Sequence, residues 1–271
     1  MKITLEQQKF IFALIKKNAG INLSEDKSYL LDTKLLPLVK KHKLVSVSEL
    51  ISKIQESNDQ NLITELVEAM TINESSFFRD NKPFELFNSS VVSNILAANP
   101  GKTNLRIWSA ACSSGQEPYS IAININEKWK NSTTTFEIVA TDLSSQILER
   151  ATKGIYNQFE VQRGLPITLL VKYFKQVDKD WHLCDEIKKM VKFQRINLLE
   201  NITSLGKFDI IFCRNVLFYF DSETKVRILN SLSNMLGKNG VLFLGSSESA
   251  YGLETKFKKY DDKTSGVFTL I

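Results

Sequence analysis

Short apolar runs alternate with helical stretches from Leu105 to the end of the chain, and this alternation limits the fold more than any other feature of the sequence. The runs are rich in β-branched residues and read NLRIWSAA, FEIVATD, VKFQRIN, FDIIFCRN, GVLFLG and GVFTLI. Strands separated by helices form a mostly parallel sheet with helices on both faces, which is an α/β fold. Too little helix separates the last two runs for a parallel crossover, so we predict that the final strand enters antiparallel.

The first 70 residues contain helical patterns and no convincing strand. Thr4 and Gln7 resemble a capping box, and Gly20 suits the end of the helix that they open. The predicted caps of the following helices are Ser24, then Ser46 or Ser48, and then Asp59. Pro37 lies inside the second pattern and is predicted to kink or end that helix, because proline lacks an N–H and clashes with the preceding turn.

These patterns predict a small all-helical domain over residues 1–70, a linker over 71–82 and a larger domain over 83–271. Residues 158–192 are charged and irregular, and we expect them to form a small β-subdomain inserted into the larger domain. Within this insert, WHLCDEIKKMVKF offers two short strand-like pieces around a polar turn, which predicts a hairpin.

Histidine and cysteine are too few and too scattered for most metal and triad chemistry. The chain has two histidines and three cysteines, with no C-x-x-C pair. We therefore expect no disulfide, no metal site and no histidine-based hydrolase. No apolar run approaches the roughly 18 residues of a membrane span, and the N-terminus is unlike a signal peptide, so we expect a cytoplasmic protein. The net charge of +5 favours anionic partners, either phosphate backbones or acidic protein surfaces.

Residues suited to binding a nucleoside follow the predicted strands, at the edge where ligands bind in parallel sheets. The first strand of WSAACSSGQEPYS ends in small residues at a turn around Gly115, which would let another molecule approach the backbone closely, and Glu117 follows. Asp142 ends the second strand, Asn197 the third and Asn215 the fourth. A carboxylate for ribose hydroxyls and amides for an adenine edge form a nucleoside pocket.

Each of these residues also has a purely structural interpretation. Asp142 could cap the helix after it, and Asn197 and Asn215 could be turn residues. Their joint position at successive strand ends favours a binding site. The turn has a single glycine, so the G-x-G-x-x-G fingerprint of dinucleotide sites is missing and a pyrophosphate has no obvious seat. S-adenosylmethionine, which has no phosphate, suits such a pocket.

The stretch TINESSFFRD places Asn73, Ser75 and Arg79 around the pair Phe77 and Phe78. One interpretation is an interdomain linker whose phenylalanines pack into the core while Arg79 is solvated. The other is a segment that contributes polar groups to the cofactor site. The spacing alone leaves this choice open, and a resemblance to a known family favours the second interpretation.

Several segments, taken in order, closely resemble the chemotaxis receptor methyltransferase family, CheR. They are INESSFFRD, RIWSAACSSGQEPYSIAI, ATDLSSQILERATKGIY, INLLE, FDIIFCRNVLFYFD and VLFLGSSES, within residues 70–250. The resemblance implies a small N-terminal helical domain followed by a Rossmann-like S-adenosylmethionine-dependent methyltransferase domain. It also implies an enzyme that methyl-esterifies glutamate side chains on the helical bundles of bacterial chemoreceptors, for chemotactic adaptation.

Carried over residue by residue, the resemblance implies a cofactor site on Asn73, Ser75, Arg79, Glu117, Asp142, Asn197, Leu198, Asn215 and Val216. It implies that Arg79 and Tyr219 are catalytic residues close to the transferring methyl group. Two positions depart from the family pattern: Ser75 stands where threonine is usual, and Gln116 stands where the turn usually reads Glu-Glu. Ser75 keeps the hydroxyl and Glu117 keeps the second carboxylate, so we expect cofactor binding to survive.

Substrate docking is expected to involve the basic N-terminal domain, where Lys34, Lys40, Lys41 and Lys43 lie in and after the second helix. The receptor helices on which this family acts are rich in Glu and Gln, so a complementary field would steer docking. The alternative is a solvated helix face. Some members of the family also grip a receptor pentapeptide with the inserted β-subdomain. Residues 175–190 lack the Gly-rich loop of those members, so we expect a tether-independent enzyme. Nothing in the sequence demands a dimer, and we expect a monomer.

Two other functions stay open on the residues alone. A nucleic-acid methyltransferase could use the same fold, but Asn/Asp-Pro-Pro-Tyr and Pro-Cys motifs are missing and the basic residues lack interleaved aromatics. A binding module could sense S-adenosylmethionine or dock on receptors without transferring a methyl group. The intact set of Asn73, Arg79, Asp142 and Tyr219 argues against that second alternative.

Overall fold

The computed structural model describes residues 3–24, 28–261 and 266–271. The chain divides into two compact units, one of Met1–Ile72 with Tyr219–Thr224, and one of Asn73–Phe218 with Lys225–Ile271. None of the helices in these described ranges combines the length and the apolar character needed to cross a lipid bilayer.

Helices form the first unit, as predicted. In the described part of this unit they are α1 (Leu5–Ala19), α2 (Tyr29–Lys41), α3 (Val47–Ser57) and α4 (Gln60–Met70). Each helix buries one apolar stripe among the others, with Ile15 of α1, Leu35 of α2, Leu50 of α3 and Leu66 of α4 fully buried.

The predicted caps are confirmed at α1, α3 and α4. Thr4 and Gln7 form the capping box before α1, and Gly20 ends that helix with a φ of 74°. Ser46 and Asp59 accept hydrogen bonds from amides in the first turns of α3 and α4. Local sequence therefore determines where these three helices begin.

The second helix differs from its prediction. Its predicted cap, Ser24, is followed by residues 25–27, which lie outside the described residues, and α2 begins at Tyr29. It then continues through Pro37 to Lys41, so of the two predicted effects of Pro37, a kink or an end of the helix, the end is excluded. Proline removes one backbone hydrogen bond, and burial of the α2 leucines against α3 and α4 offsets this loss.

A short segment distant in sequence completes the first unit. The amide N–H of Asn22 donates to the carbonyl of Tyr219 at 2.9 Å. The Lys16 ammonium lies 2.8 Å from the Asp221 carboxylate. Lys16 and Thr224 together hold the pKa of Asp221 well below its usual range. The segment Tyr219–Thr224 is thus fixed to α1 and to the chain that follows it.

The second unit is built on a large sheet. Its helices are α5 (Lys82–Leu86), α6 (Val92–Ala98), α7 (Gln116–Trp129), α8 (Ser145–Lys153), α9 (Gln158–Gln162), α10 (Ile167–Tyr173), α11 (Asp185–Lys188) and α12 (Ser222–Met235), with a π-helical turn at Phe87–Val91. Its strands are β1 (Asn104–Ala110), β2 (Thr135–Asp142), β3 (Ile155–Asn157), β4 (Phe174–Val177), β5 (Asp180–Leu183), β6 (Val191–Arg195), β7 (Phe208–Cys213), β8 (Leu236–Leu244), β9 (Phe257–Lys259) and β10 (Val267–Leu270).

The seven strands of the large sheet, counted among the described residues, lie in the order β6-β2-β1-β7-β8-β10-β9. The pairs from β6 to β8 are parallel, whereas β10 is antiparallel to β8. The predicted strands and the antiparallel entry of the last strand are confirmed. The sequence did not predict β9, because three residues with two lysines carry no clear strand pattern.

A second sheet of three antiparallel strands has the order β3-β5-β4. Its hairpin joins β4 to β5 through Asp178, which has a φ of 53°, and Lys179. The hairpin therefore lies earlier than the one predicted in WHLCDEIKKMVKF. Asp185 and Glu186 open α11 after β5, and Val191 onward pairs with β2 in the large sheet, so those two pieces cannot pair with each other.

Phe77 and Phe78, near the start of the second unit, belong to its hydrophobic core. Phe77 is fully buried, with its ring 4.9 Å from the Tyr156 ring and 5.5 Å from the Phe174 ring. Phe78 packs edge-on against Phe84 at 5.4 Å. The interpretation that these phenylalanines fill the core is confirmed, and their packing anchors the polar residues beside them.

We predict that Gly164→Ala destabilises the protein more than Gly101→Ala does. Both glycines have positive φ, 87° and 85°, but an added Cβ at Gly164 would lie 2.1 Å from the Phe77 carbonyl oxygen, whereas none of the described atoms lies within 4 Å of one at Gly101. The left-handed backbone alone costs about 1–2 kcal/mol, and overpacking adds about 1–3 kcal/mol. Urea unfolding of the two variants measures the difference. Equal losses would show that the Phe77 contact does not constrain Gly164.

Candidate functional site

The carboxyl ends of the parallel strands bring the predicted site residues to one edge of the large sheet. Asn197 follows β6, Asp142 ends β2, and Asn215 and Val216 follow β7. The turn of residues 111–115 follows β1, which lies between β2 and β7. Ligands of parallel α/β sheets bind at this edge, so the strand order alone places these residues next to one another.

The turn between β1 and α7 has an unusual backbone. Ala111, Ser113 and Gly115 have positive φ values of 58°, 52° and 92°. An added Cβ at Gly115 would meet Ala151 at 3.0 Å and Tyr156 at 3.1 Å. The space on the Cβ side of Gly115 is thus filled by the protein itself. Glycine is required here for its φ and for the packing of α8 against the turn.

Asp142 connects the end of β2 to this turn. One carboxylate oxygen accepts the Ser113 N–H at 2.9 Å, and the other accepts the Ser144 N–H at 3.1 Å. The alternative that Asp142 caps the next helix is wrong, because Ser144 is the N-cap of α8 and accepts from Ile147. The carboxylate of Asp142 is therefore fixed where β2 meets the β1–α7 turn.

The segment of residues 73–80 lies on the same edge. The Ser113 hydroxyl donates to the Asn73 carbonyl at 2.9 Å, and the Phe78 N–H donates to the Ser120 hydroxyl at 2.9 Å. The Arg79 guanidinium is half-buried and donates to the Glu74 carbonyl at 3.3 Å. This segment is therefore both a packed linker and a source of polar groups, so the two interpretations offered for it are compatible.

The amide side chains at the neighbouring strand ends are half-buried. Asn197 accepts the Leu199 N–H at 3.0 Å, which forms a tight turn, as its structural interpretation had it. Leu198 is also half-buried. Asn215 has a φ of 60°, a conformation that asparagine tolerates better than most residues.

Arg214 is the residue of this edge that sequence reasoning missed. Its side chain is 1% exposed, and its guanidinium lies 3.1 Å from the Glu117 carboxylate and 2.7 Å from the Asp80 carboxylate. It also donates to the Arg79 carbonyl at 2.8 Å. The available signal was a charged residue directly after the buried strand FDIIFC, whose last four residues are apolar and where burial demands partners.

Burial and charge act in opposite directions on Glu117. Burial raises the pKa of its carboxyl, and the Arg214 guanidinium and the Ser109 hydroxyl oppose that rise. The Ser109 hydroxyl donates to Glu117 at 2.7 Å. Glu117 is therefore a carboxylate held in place from two sides, by Ser109 and by Arg214.

The donor set fits S-adenosylmethionine. Two carboxylates, Asp142 and Glu117, suit ribose hydroxyls and an ammonium group, and Asn197 and Asn215 suit a purine edge. The Nε of Arg214 is buried and has no hydrogen-bond partner among the residues that the structure describes, which leaves one donor for a bound molecule or water.

The other predicted residues belong to the first unit. Tyr219 ends a short 3₁₀ turn and is half-buried. The Lys34 ammonium donates to the Thr71 carbonyl, and burial lowers the pKa of Lys34. Lys41 lies 2.9 Å from Glu65, and Lys40 is exposed on α2. Lys34 and Lys41 therefore each have a partner within their own unit.

A mostly parallel sheet with an antiparallel last strand and this set of edge residues defines a methyltransferase of the S-adenosylmethionine-binding class. Residues 73–265 match the family described as "CheR methyltransferase, SAM binding domain", and residues 6–71 match "CheR methyltransferase, all-alpha domain". The chain belongs to the CheR methyltransferase family.

The relatives that are similar over most of their length are chemotaxis protein methyltransferases. The chain is 41% identical to "Chemotaxis protein methyltransferase Cher2" of Pseudomonas putida over 90% of both chains. It is 39% identical to "Chemotaxis protein methyltransferase" of Vibrio parahaemolyticus over 94% of both chains. A "Chemotaxis protein methyltransferase" of Borreliella burgdorferi is 35% identical over 93% of this chain and 91% of its own.

We predict that Arg214→Met destabilises the second unit by about 3–5 kcal/mol, because it leaves the Glu117 and Asp80 carboxylates without their buried counter-charge. The loss is largest at neutral pH and shrinks as the pH falls, since a protonated Glu117 needs no counter-charge. Adding Glu117→Gln to the variant restores part of the stability. Urea unfolding at several pH values measures these changes.

The matched control is Arg227→Met on the exposed face of α12, which is expected to change stability by less than about 0.5 kcal/mol. A loss at Arg214 as small as the loss at Arg227 would contradict the assignment of a buried ion cluster.

Proposed function

We propose that the protein transfers a methyl group from S-adenosylmethionine to glutamate side chains of bacterial chemoreceptors and thereby forms methyl esters for adaptation. Membership of the CheR family and relatives named chemotaxis protein methyltransferases support this proposal. The main structural support is that Ser113 of the β1–α7 turn donates hydrogen bonds of 2.9 Å to both Asp142 and the Asn73 carbonyl at one edge of the sheet.

The cofactor site is proposed to use the residues at this edge. Asp142 would accept the ribose hydroxyls, Glu117 would face the ammonium group, and Asn197 and Asn215 would face the base. Asn73, Ser75, Leu198 and Val216 would complete the walls. Bound S-adenosylmethionine would supply an electrophilic methyl group on a sulfonium.

The reaction needs little acid–base chemistry from the protein. A glutamate carboxylate has a reference pKa near 4.3 and is already ionised at neutral pH, so no general base is required. Positioning a nucleophile for attack can supply up to roughly 7–11 kcal/mol. Arg79 and Tyr219 are proposed to hold the carboxylate. A single hydrogen bond from Tyr219 would orient it without neutralising the charge that makes it reactive.

Docking is proposed to use the helical unit. Lys40 and Lys41 are exposed on the last turn of α2, where cations would attract acidic receptor helices. This role for residues 1–70 carries over the family's arrangement of a helical docking domain before a methyltransferase domain. The enzyme would act as a cytoplasmic monomer without a receptor tether and without a metal.

We predict that S-adenosylhomocysteine binds the purified protein with micromolar affinity, about −8 kcal/mol, measured by isothermal calorimetry. Asp142→Ala is expected to weaken binding by about a hundredfold, because hydrogen bonds to a charged group contribute about 1.5–3 kcal/mol each. Asp32→Ala, at an exposed aspartate of α2, is the control and leaves the affinity unchanged. A wild-type protein that does not bind would leave receptor docking without catalysis as the better account.

We predict that the enzyme labels a receptor cytoplasmic fragment from S-adenosylmethionine carrying a radioactive methyl group, and that base releases this label as methanol. A methyl ester is hydrolysed by base, whereas an N-methyl group is retained. Tyr219→Phe is expected to lower kcat about tenfold, the value of one hydrogen bond. Tyr251→Phe, at an exposed tyrosine, is the matched control.

Two outcomes of this assay would contradict the proposal. Label that survives base would indicate methylation at nitrogen. Unchanged labelling of a fragment whose target glutamates are replaced by glutamine would show that the glutamate carboxylates are not the acceptors.

A further inference from the structure

The carboxylate of Glu248 accepts hydrogen bonds from four main-chain N–H groups. One oxygen accepts from Val216 at 2.8 Å and Leu217 at 2.7 Å, and the other from Asn215 at 2.8 Å and Gly245 at 2.7 Å. Glu248 is 8% exposed. All the lone pairs of a carboxylate in a favourable geometry are thereby used, and a ring of donors of one kind selects an ionised acceptor.

These four N–H groups belong to the loops that leave β7 and β8. The paired residues of β7 and β8 end at Cys213 and Leu244, just before these loops, and buried N–H groups require a partner. Glu248 lies 32 residues from Val216 in sequence and supplies this partner. The loop of residues 215–217 therefore takes its shape from Glu248 as well as from its own sequence.

The contact between the two loops is close. A Cβ added at Gly245 would lie 2.7 Å from both the side-chain nitrogen of Asn215 and the Glu248 carboxylate, and 3.0 Å from the Asn215 main-chain nitrogen, so only glycine lets them meet. Asn215 is held in the left-handed region at a φ of 60°. On its other side Asn215 follows Arg214, which Glu117 and Asp80 hold. Residues 214–217 are fixed from both sides by buried ionic groups.

We infer that Glu248 is a positioning residue of the cofactor site, one that holds Asn215 and Val216 where they contact the cofactor. This inference rests on the proposed function. It also limits how the cofactor is recognised: the N–H groups of residues 215–217 already serve Glu248, so the loop presents the Asn215 side chain and its carbonyls to the base.

The chain offers a matched control at the opposite edge of the same sheet. Asp209 is 5% exposed, accepts the Arg106 N–H at 2.9 Å and lies 2.8 Å from the Lys102 ammonium. Replacing this buried carboxylate disturbs one main-chain hydrogen bond and one ion pair at the amino ends of the strands. Asp209→Asn thus measures the effect of a general loss of stability on cofactor binding.

The test measures S-adenosylhomocysteine binding by calorimetry and stability by urea unfolding, for the wild type, Glu248→Gln and Asp209→Asn. A glutamine presents one oxygen and one NH₂ group to four donors, so two N–H groups lose their acceptor. Glu248→Gln is expected to raise Kd at least about tenfold, whereas Asp209→Asn changes it less than about twofold at a similar loss of stability. Hydrogen exchange of the residue 215–217 amides should accelerate in Glu248→Gln alone.

The outcomes separate this inference from the proposed function. If the wild type binds S-adenosylhomocysteine and the two variants have equal Kd values, the positioning role is overturned and the proposed function still stands. A wild type that does not bind would overturn both. Should Glu248→Gln fail to fold, Glu248→Asp keeps the charge and shortens the side chain, and an unchanged Kd in that variant would overturn the inference. A raised Kd with native-like unfolding would support it.

Discussion

The buried guanidinium of Arg214 is the constraint on which the functional edge of the sheet depends. An unpaired charge in the interior costs several kcal/mol, so Arg214 is stable there only while Glu117, Asp80 and the Arg79 carbonyl surround it. These partners come from α7 and from the segment before α5, which are far apart in sequence. One buried charge at the end of β7 therefore fixes both elements against the strand that carries Asn215.

Backbone strain is concentrated at this edge and is balanced by buried side chains. Phe78, Ser113 and Asn215 have φ values of 48°, 52° and 60°, which residues other than glycine rarely adopt. Their N–H groups donate to buried Ser120, Asp142 and Glu248, in that order. Such conformations persist only where the surrounding structure over-determines them, and they cluster at functional sites. The shape of the edge is thus imposed by side chains from other elements.

The difference between contacts that are local in sequence and contacts from other elements explains what could be predicted from the sequence. Helix caps such as Thr4 and the apolar strand segments depend on residues that are close in sequence, so pattern reasoning found them. The predicted strand ends then indicated which residues lie together at the site. The role of Gly115 depends on Ala151, and the partners of Arg214 and Glu248 lie in other elements. Contacts of that kind leave no periodic signal. The family resemblance supplied residues for the site but gave no account of the groups that hold them.

The start of α7 explains why this edge suits a cofactor without phosphate. Helix N-termini bind phosphate through unpaired N–H groups and the positive end of the helix dipole. Here the N–H groups of Cys112 and Ser113 are used by Thr141 and Asp142. Pro118 has no N–H, and Glu117 adds a carboxylate to the first turn. A phosphate would meet negative charge and few donors, whereas the sulfonium and ammonium groups of S-adenosylmethionine would meet carboxylates. The missing glycine fingerprint and the preference of this edge for a positively charged cofactor are therefore both properties of the same turn.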